Sequence, residues 1–190
     1  MQYIDERIIP LKMDYREKQT PMSLETGYYI NGKLIKFARS ELFDKQIIVY
    51  LPEDFVDMPE QICALKYPFS PRPQIIKTSL TCNENFLFNI LDDPGGLTGS
   101  EVAHSFAMSL TRTNPSIRID EFMTEMTPAG LEATFFEFDH YGVDAQIYNL
   151  ISLTVIGGRI IQSAFNCPKQ SKFDWNKAAK DVFLHMEGIS

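Results

Sequence analysis

Glu101 and His104 stand three residues apart, a spacing that turns both side chains to one face of a helix. Together they offer a general acid–base pair or two ligands of a metal. A tetrahedral metal needs at least a third convergent ligand, and neither His140 nor His185 belongs to a second spaced pair. His185, near the end of a helical pattern, reads as a cation complementing a helix C-terminus. Cys63, Cys82 and Cys167 have no neighbouring histidine and form no C-x-x-C pair, so they read as buried packing rather than nucleophiles. Their odd number and wide spacing suit a reducing compartment, and the expected location is the cytoplasm. The G-x-S-x-G, H-E-x-x-H, Walker and G-x-G-x-x-G spacings are absent. Asp93–Ser100 precedes a helix whose free amides suit an anion. Yet no lysine or arginine lies between Lys77 and Arg112, so this stretch reads as a plain loop. No catalytic residue, metal or cofactor is assigned, and an enzyme is less expected than a binding protein.

The strongest charge anomaly lies between Ile119 and Gly158. Seven carboxylates (Asp120, Glu121, Glu125, Glu132, Glu137, Asp139 and Asp144) occur there without one lysine or arginine. With Pro128-Ala129 at the centre of a two-residue turn, Glu125 faces Glu132 and Asp120 faces Glu137. Like charges directly opposed across strands are destabilising, so they call for solvent, a cation or a basic partner. A glycosidase-style carboxylate pair is conceivable at such distances, but nothing supplies a sugar-binding cleft.

These residues sit in a chain of 190, with 18 basic and 25 acidic side chains and a net charge of −7. The length fits one domain, expected over 27–190, with residues 1–26 as an N-terminal arm packed along it. The negative balance argues against nucleic acid, and no apolar run is long enough for membrane insertion. The first ten residues do not read as a secretory leader. Asn31-Gly32 between strand-like runs marks a hairpin over 28–37, and a third strand runs from Gln46 to Leu51. Asp57 and Pro59 open a short helix that stops near Tyr67-Pro68. Strands follow at 74–80 and 85–91. The helix over 99–113 carries a Thr98/Glu101 capping box and a stripe of Val102, Ala103, Phe106, Ala107 and Leu110. Four strands form a meander at 116–126, 131–141, 145–156 and 159–166. The last helix, 172–187, is capped by Ser171 and Asp174 and has a stripe of Trp175, Ala178, Ala179, Val182, Phe183 and Met186. Hairpin-length connections dominate. The expected class is therefore α+β, a mostly antiparallel sheet flanked by helices as an α/β/α sandwich, in the order three strands, helix, two strands, helix, four strands, helix.

Several landmarks resemble the PsbP-like fold, and within it the DcrB-like and EagR-type bacterial proteins. They are the Ile47-to-Pro52 strand running into Glu53-Asp54-Phe55 and a short helix, Tyr67-Pro68 before the next strand, Asn85-Phe86-Leu87-Phe88 after it, and a terminal strand–helix unit. The resemblance implies a binding or accessory protein. Its EagR-type members imply a chaperone for apolar segments of secreted effectors.

Both faces of the meander carry bulky apolar groups. Five or six strands span about 24–29 Å and one helix covers a band of about 10 Å, so two long helices roof at most about 40% of both faces. The expected function is a non-enzymatic adaptor or chaperone-like protein, linked to secretion, whose apolar sheet face receives a partner. Phe136, Phe138, Tyr148, Leu150 and Phe165 are the expected contacts, with Glu121, Glu125 and Glu132 at an acidic rim. The partner is an apolar protein segment with basic flanks, or a second copy forming a homodimer. The alternatives are a small-molecule binder or enzyme with a pocket between sheet and helices, using Glu101 and His104 or the acidic meander, or a structural module of a larger assembly.

Overall fold

Alternating apolar residues in long runs build most of the structure, a computed structural model that describes residues 22–91, 95–142 and 145–188. The strands are β1 (Tyr28–Ile30), β2 (Lys33–Ile35), β3 (Phe37–Leu42), β4 (Ile47–Pro52), β5 (Val56–Asp57), β6 (Ile75–Thr78), β7 (Asn85–Leu91), β8 (Phe122–Met126), β9 (Glu132–Tyr141), β10 (Gln146–Ile156), β11 (Arg159–Pro168) and β12 (Glu187–Gly188). The helices are α1 (Glu60–Lys66), α2 (Gly99–Thr113) and α3 (Lys172–Leu184). Seven strands form the main sheet in the order β5-β6-β7-β11-β10-β9-β8, every neighbouring pair antiparallel. β12-β4-β3 make a second sheet, and β1-β2 a hairpin.

The local signals act as their chemistry dictates. Asn31 and Gly32 both take positive φ, +51° and +74°, between the paired Ile30 and Lys33, as a two-residue hairpin requires. Thr98 accepts from the Glu101 amide while the Glu101 carboxylate accepts from Thr98, closing the capping box. The class is the expected one, an antiparallel α+β sandwich.

Alternation along β10 sends its two sets of side chains into two cores. Tyr148, Leu150 and Ile156 join Phe135, Phe165 and the α3 stripe in the larger one, with Tyr28, Val49 and Leu51 from the small sheets. Ile151 and Leu153 join Phe136, Phe138, Ile160 and Ala103 and Ala107 of α2 in the other. This overturns the expectation of an unroofed face. The first strands are not an extension of the main sheet but a second layer, and with α3 they close the first face.

Four boundaries differ from expectation. The strand predicted from 116 begins only at Phe122, because Ile117 is buried and Ile119 half-buried in the α2 core. A polar strand, β3, went unrecognised among Arg39, Ser40 and Glu41. Asp57 lies in β5 bonded to Lys77 rather than capping α1, whose N-cap is Pro59. The last helix stops at Leu184, without a side-chain cap from Ser171, and the chain turns to pair Glu187–Gly188 with β4. A Cβ at Gly188 would lie 2.5 Å from Ile156 Cγ2, so the approach demands glycine. The expected arm over 1–26 lies outside the described residues up to Pro21. In its remainder, Leu24 is buried in the larger core.

Candidate functional site

The five apolar residues expected to form one docking face are all buried, at 9% exposure for Phe138 and 0% for the other four. They also belong to opposite faces. Phe136 lies across from Ile151 and Phe138 from Asn149, towards α2, while Tyr148, Leu150 and Phe165 point towards α3. No single face carries all five, although the alternation within each strand is the expected one.

The acidic rim is likewise redistributed. The loop after β8 has three residues, 128–130, closed by the Thr127 amide donating to the Leu131 carbonyl and the Leu131 amide donating to Thr127 Oγ1. It shifts the register by one, so Glu132 faces Met126 and Glu125 faces Ala133. The opposed carboxylates do not arise. Their counter-charges come from the last helical segment instead. Lys169 holds Asp139 at 2.7 Å, Lys172 holds Glu137 at 2.7 Å, and Lys180 bonds Glu125. Positions 169, 172, 176 and 180 share one helix face, which lies along the carboxylates of β8 and β9.

Glu101 and His104 do not converge either. The Glu101 carboxylate is held within the capping box, which keeps it below the usual carboxylate range. His104 stacks on Phe122 at 3.9 Å, with Nδ1 on the Ser100 carbonyl. The Asp93–Ser100 loop lies partly outside the described residues, and its Thr98 fills the helix N-terminus. Among the described residues no group of three His, Cys, Asp or Glu is arranged to hold a metal. Cys167 is buried and its thiol is pushed up to about 12 by burial, which leaves it un-ionised.

What the geometry does build is a slot at the free margin of β9. β8 pairs only with Glu132–Phe136, whereas β10 pairs as far as Tyr141. Among the described residues, the outer edge of Glu137–Tyr141 therefore has no neighbouring strand. Beside it lies a half-open cavity of about 560 Å³. Ser116, Arg118, Asp120, Glu121 and Met123 form one wall; Glu137 to Tyr141 form the other, backed by Gln146, Tyr148 and Lys172. Phe138, Tyr148 and Glu121 of the expected site reach this slot; Phe136, Leu150, Phe165, Glu125 and Glu132 do not.

Its electrostatics are firmly set. Burial raises the Glu137 pKa, but donation from Lys172, Asn176 and Tyr148 outweighs it and holds the carboxyl below its ordinary range. Burial and the neighbouring Glu137 charge push the Tyr148 hydroxyl well up. His140 is shifted down by burial, against the pull of Asp139, and Asn149 Nδ2 lies 2.9 Å from its Nδ1. An amide donating there fits a neutral imidazole. Asp139 Oδ1 has no hydrogen-bond partner among the described residues. Sequence reasoning missed Arg118 and Lys172 and did not bring Asp120, Asp139 and His140 to one site, because Ile117-x-Ile119 alternates like a strand while serving the α2 core.

No protein-family model matches the chain, and no curated protein matches it in sequence. Solved structures do. CyanoP, the cyanobacterial PsbP of Synechocystis, superposes with a TM-score of 0.61 at 12% identity, covering 84% of this chain and 96% of its own. The fold is PsbP-like. LpqN of Mycobacterium tuberculosis, described as involved in cell envelope biogenesis, shares the PsbP-like fold with a TM-score of 0.54 at 13% identity over 88% and 98% of the two chains. The Saccharomyces cerevisiae Ran-binding protein Mog1p gives 0.52 at 11% over 82% and 97%. Among the described residues no helix is long and apolar enough to cross a membrane.

Proposed function

We propose that this PsbP-like protein is a non-catalytic adaptor that binds a partner protein through the acid-lined slot beside β9. The observation that carries this reading is the edge of Glu137–Tyr141, unpaired among the described residues, facing a cavity of about 560 Å³. Polar walls with buried aromatic groups behind them suit selective recognition more than catalysis, since Glu137 and Asp139 are engaged by lysines and burial opposes protonation of His140. The Ran-binding role of Mog1p supports protein binding on this architecture. An adaptor fits better than a chaperone for apolar segments, which needs the uncovered face that α3 and the small sheets fill. Three free thiols support a reducing compartment such as the cytoplasm.

The test is affinity capture from cells of the source organism, followed by reconstitution with the purified candidate. The double variant Asp120→Lys/Glu121→Lys alters only exposed slot residues, and Glu53→Lys is the distant control. The expected result is one stoichiometric partner whose Kd weakens at least tenfold with the double variant and is unchanged by the control. Equal binding by both variants, or a monomer that never retains a partner, overturns the proposal. So does a homodimer in light scattering that survives the double variant.

A further inference from the structure

Backbone groups must be paired or wet, and a sheet edge left bare is a template for another strand. Proteins blunt such edges with lysine, proline, a bulge or a covering segment. The outer edge of Glu137–Tyr141 contains neither lysine nor proline, and it runs about 17 Å at the usual rise per residue. The segment that would have covered it is diverted, because Ile117 and Ile119 are drawn into the α2 core. No backbone hydrogen bond joins 116–121 to this edge among the described residues. The diverted segment and the edge are the two walls of the cavity.

Resting on the reading of the slot as a partner site, we infer that its occupant is an extended basic segment of another protein, which adds to β9 as a strand. Charge selects the occupant. Lys172 and Lys169 already pair Glu137 and Asp139, so the slot's free negative charge is that of Asp120 and Glu121, which have no ion-pair partner among the described residues, against Arg118. A second copy would bring the same carboxylates to the same edge, which like-charge repulsion opposes. Alternation then specifies the pattern. Glu137 and Asp139 point to the α3 side, and Phe138 and His140 to the α2 side. An added strand therefore presents cationic side chains at every second position and apolar ones between them. Asp139 Oδ1, which has no donor among the described residues, is the acceptor left open to such a cation.

The probe is a fluorescent seven-residue peptide of alternating valine and lysine, tested against the full chain. Its counterparts carry glutamate for lysine, or N-methyl groups on alternate amides. The expected result is binding that weakens at least tenfold with glutamate, at least tenfold with N-methylation on the edge-facing amides, and progressively with added salt. Amide exchange at the alternate residues of Glu137–Tyr141 whose N–H groups face away from β10 should slow at least tenfold in the complex. Equal binding by the N-methylated peptide, or unchanged exchange at those amides, overturns strand addition. Failure of strand addition alone leaves a captured partner still sensitive to Asp120→Lys/Glu121→Lys, whereas failure of the slot itself removes that sensitivity too.

Discussion

Replacing Phe136 with alanine decides whether the α2 side of the sheet is roofed. The ring is fully buried among Phe122, Phe106 and Phe138, with centroids 5.4, 6.2 and 6.3 Å away. Removing a phenyl group from such a site costs the lost transfer energy and leaves a cavity, together about 3–5 kcal/mol. On an exposed face the same change would stay within about 0.5 kcal/mol. For a chain of this size each kcal/mol moves Tm by about 2–4 °C, so the expected drop is about 6–20 °C. Urea unfolding followed by circular dichroism gives the free energy directly, with an unchanged slope showing that both end states are retained. Met126→Ala is the internal control, since this β8 residue is 61% exposed and should cost under about 0.5 kcal/mol. A loss below about 1 kcal/mol for Phe136→Ala would refute the closed α2 core and restore an open face.

Lys172→Met should destabilise the protein at neutral pH by about 1–2 kcal/mol, between the values for exposed and buried ion pairs. Because Glu137 is depressed in the folded state, its contribution is complete above the ordinary carboxylate range and disappears as pH falls through the folded value. Losing Lys172 raises that value, so acid unfolding should begin at higher pH; superimposable acid titrations would contradict this. Alkylation at pH 8 should label Cys63 and Cys82 but spare Cys167, of which about one part in ten thousand is thiolate at a pKa of about 12. Mass spectrometry showing three labels on the native protein would rule out that burial. Gly188→Ala should cost about 1–3 kcal/mol by forcing its Cβ against Ile156, and a neutral result in urea unfolding would show that the chain end is held less closely.

Periodicity made the helices and the four-strand meander legible. Trp175, Ala178, Ala179, Val182 and Phe183 repeat at helical spacing, and the same five are buried along α3. Strand alternation was equally readable in β10. Which strands share a sheet is a long-range matter, however, and no local pattern announces that β7 pairs with β11 while β3 and β4 form a separate layer. The sheet-width arithmetic therefore lacked half of its covering. The slot was hidden for a related reason. Ile117 and Ile119 satisfy strand alternation as well as they satisfy the α2 core, and only tertiary packing chooses between them. The lysines facing the acidic meander lay thirty or more residues away in sequence, beyond any window of local charge counting.

The two sides of the main sheet are unequally anchored. Among the described residues, twenty-three buried side chains knit one side together, against eight on the other. Local opening takes the route with the fewest buried groups, so α2 should detach as a subglobal unit while α3 and the layer beneath it remain folded. Because α2 leads directly into 116–121, each such excursion also loosens one wall of the slot. A guest strand that clasps both walls would suppress that breathing, tying occupancy of the edge to the rigidity of a helix that never touches the guest.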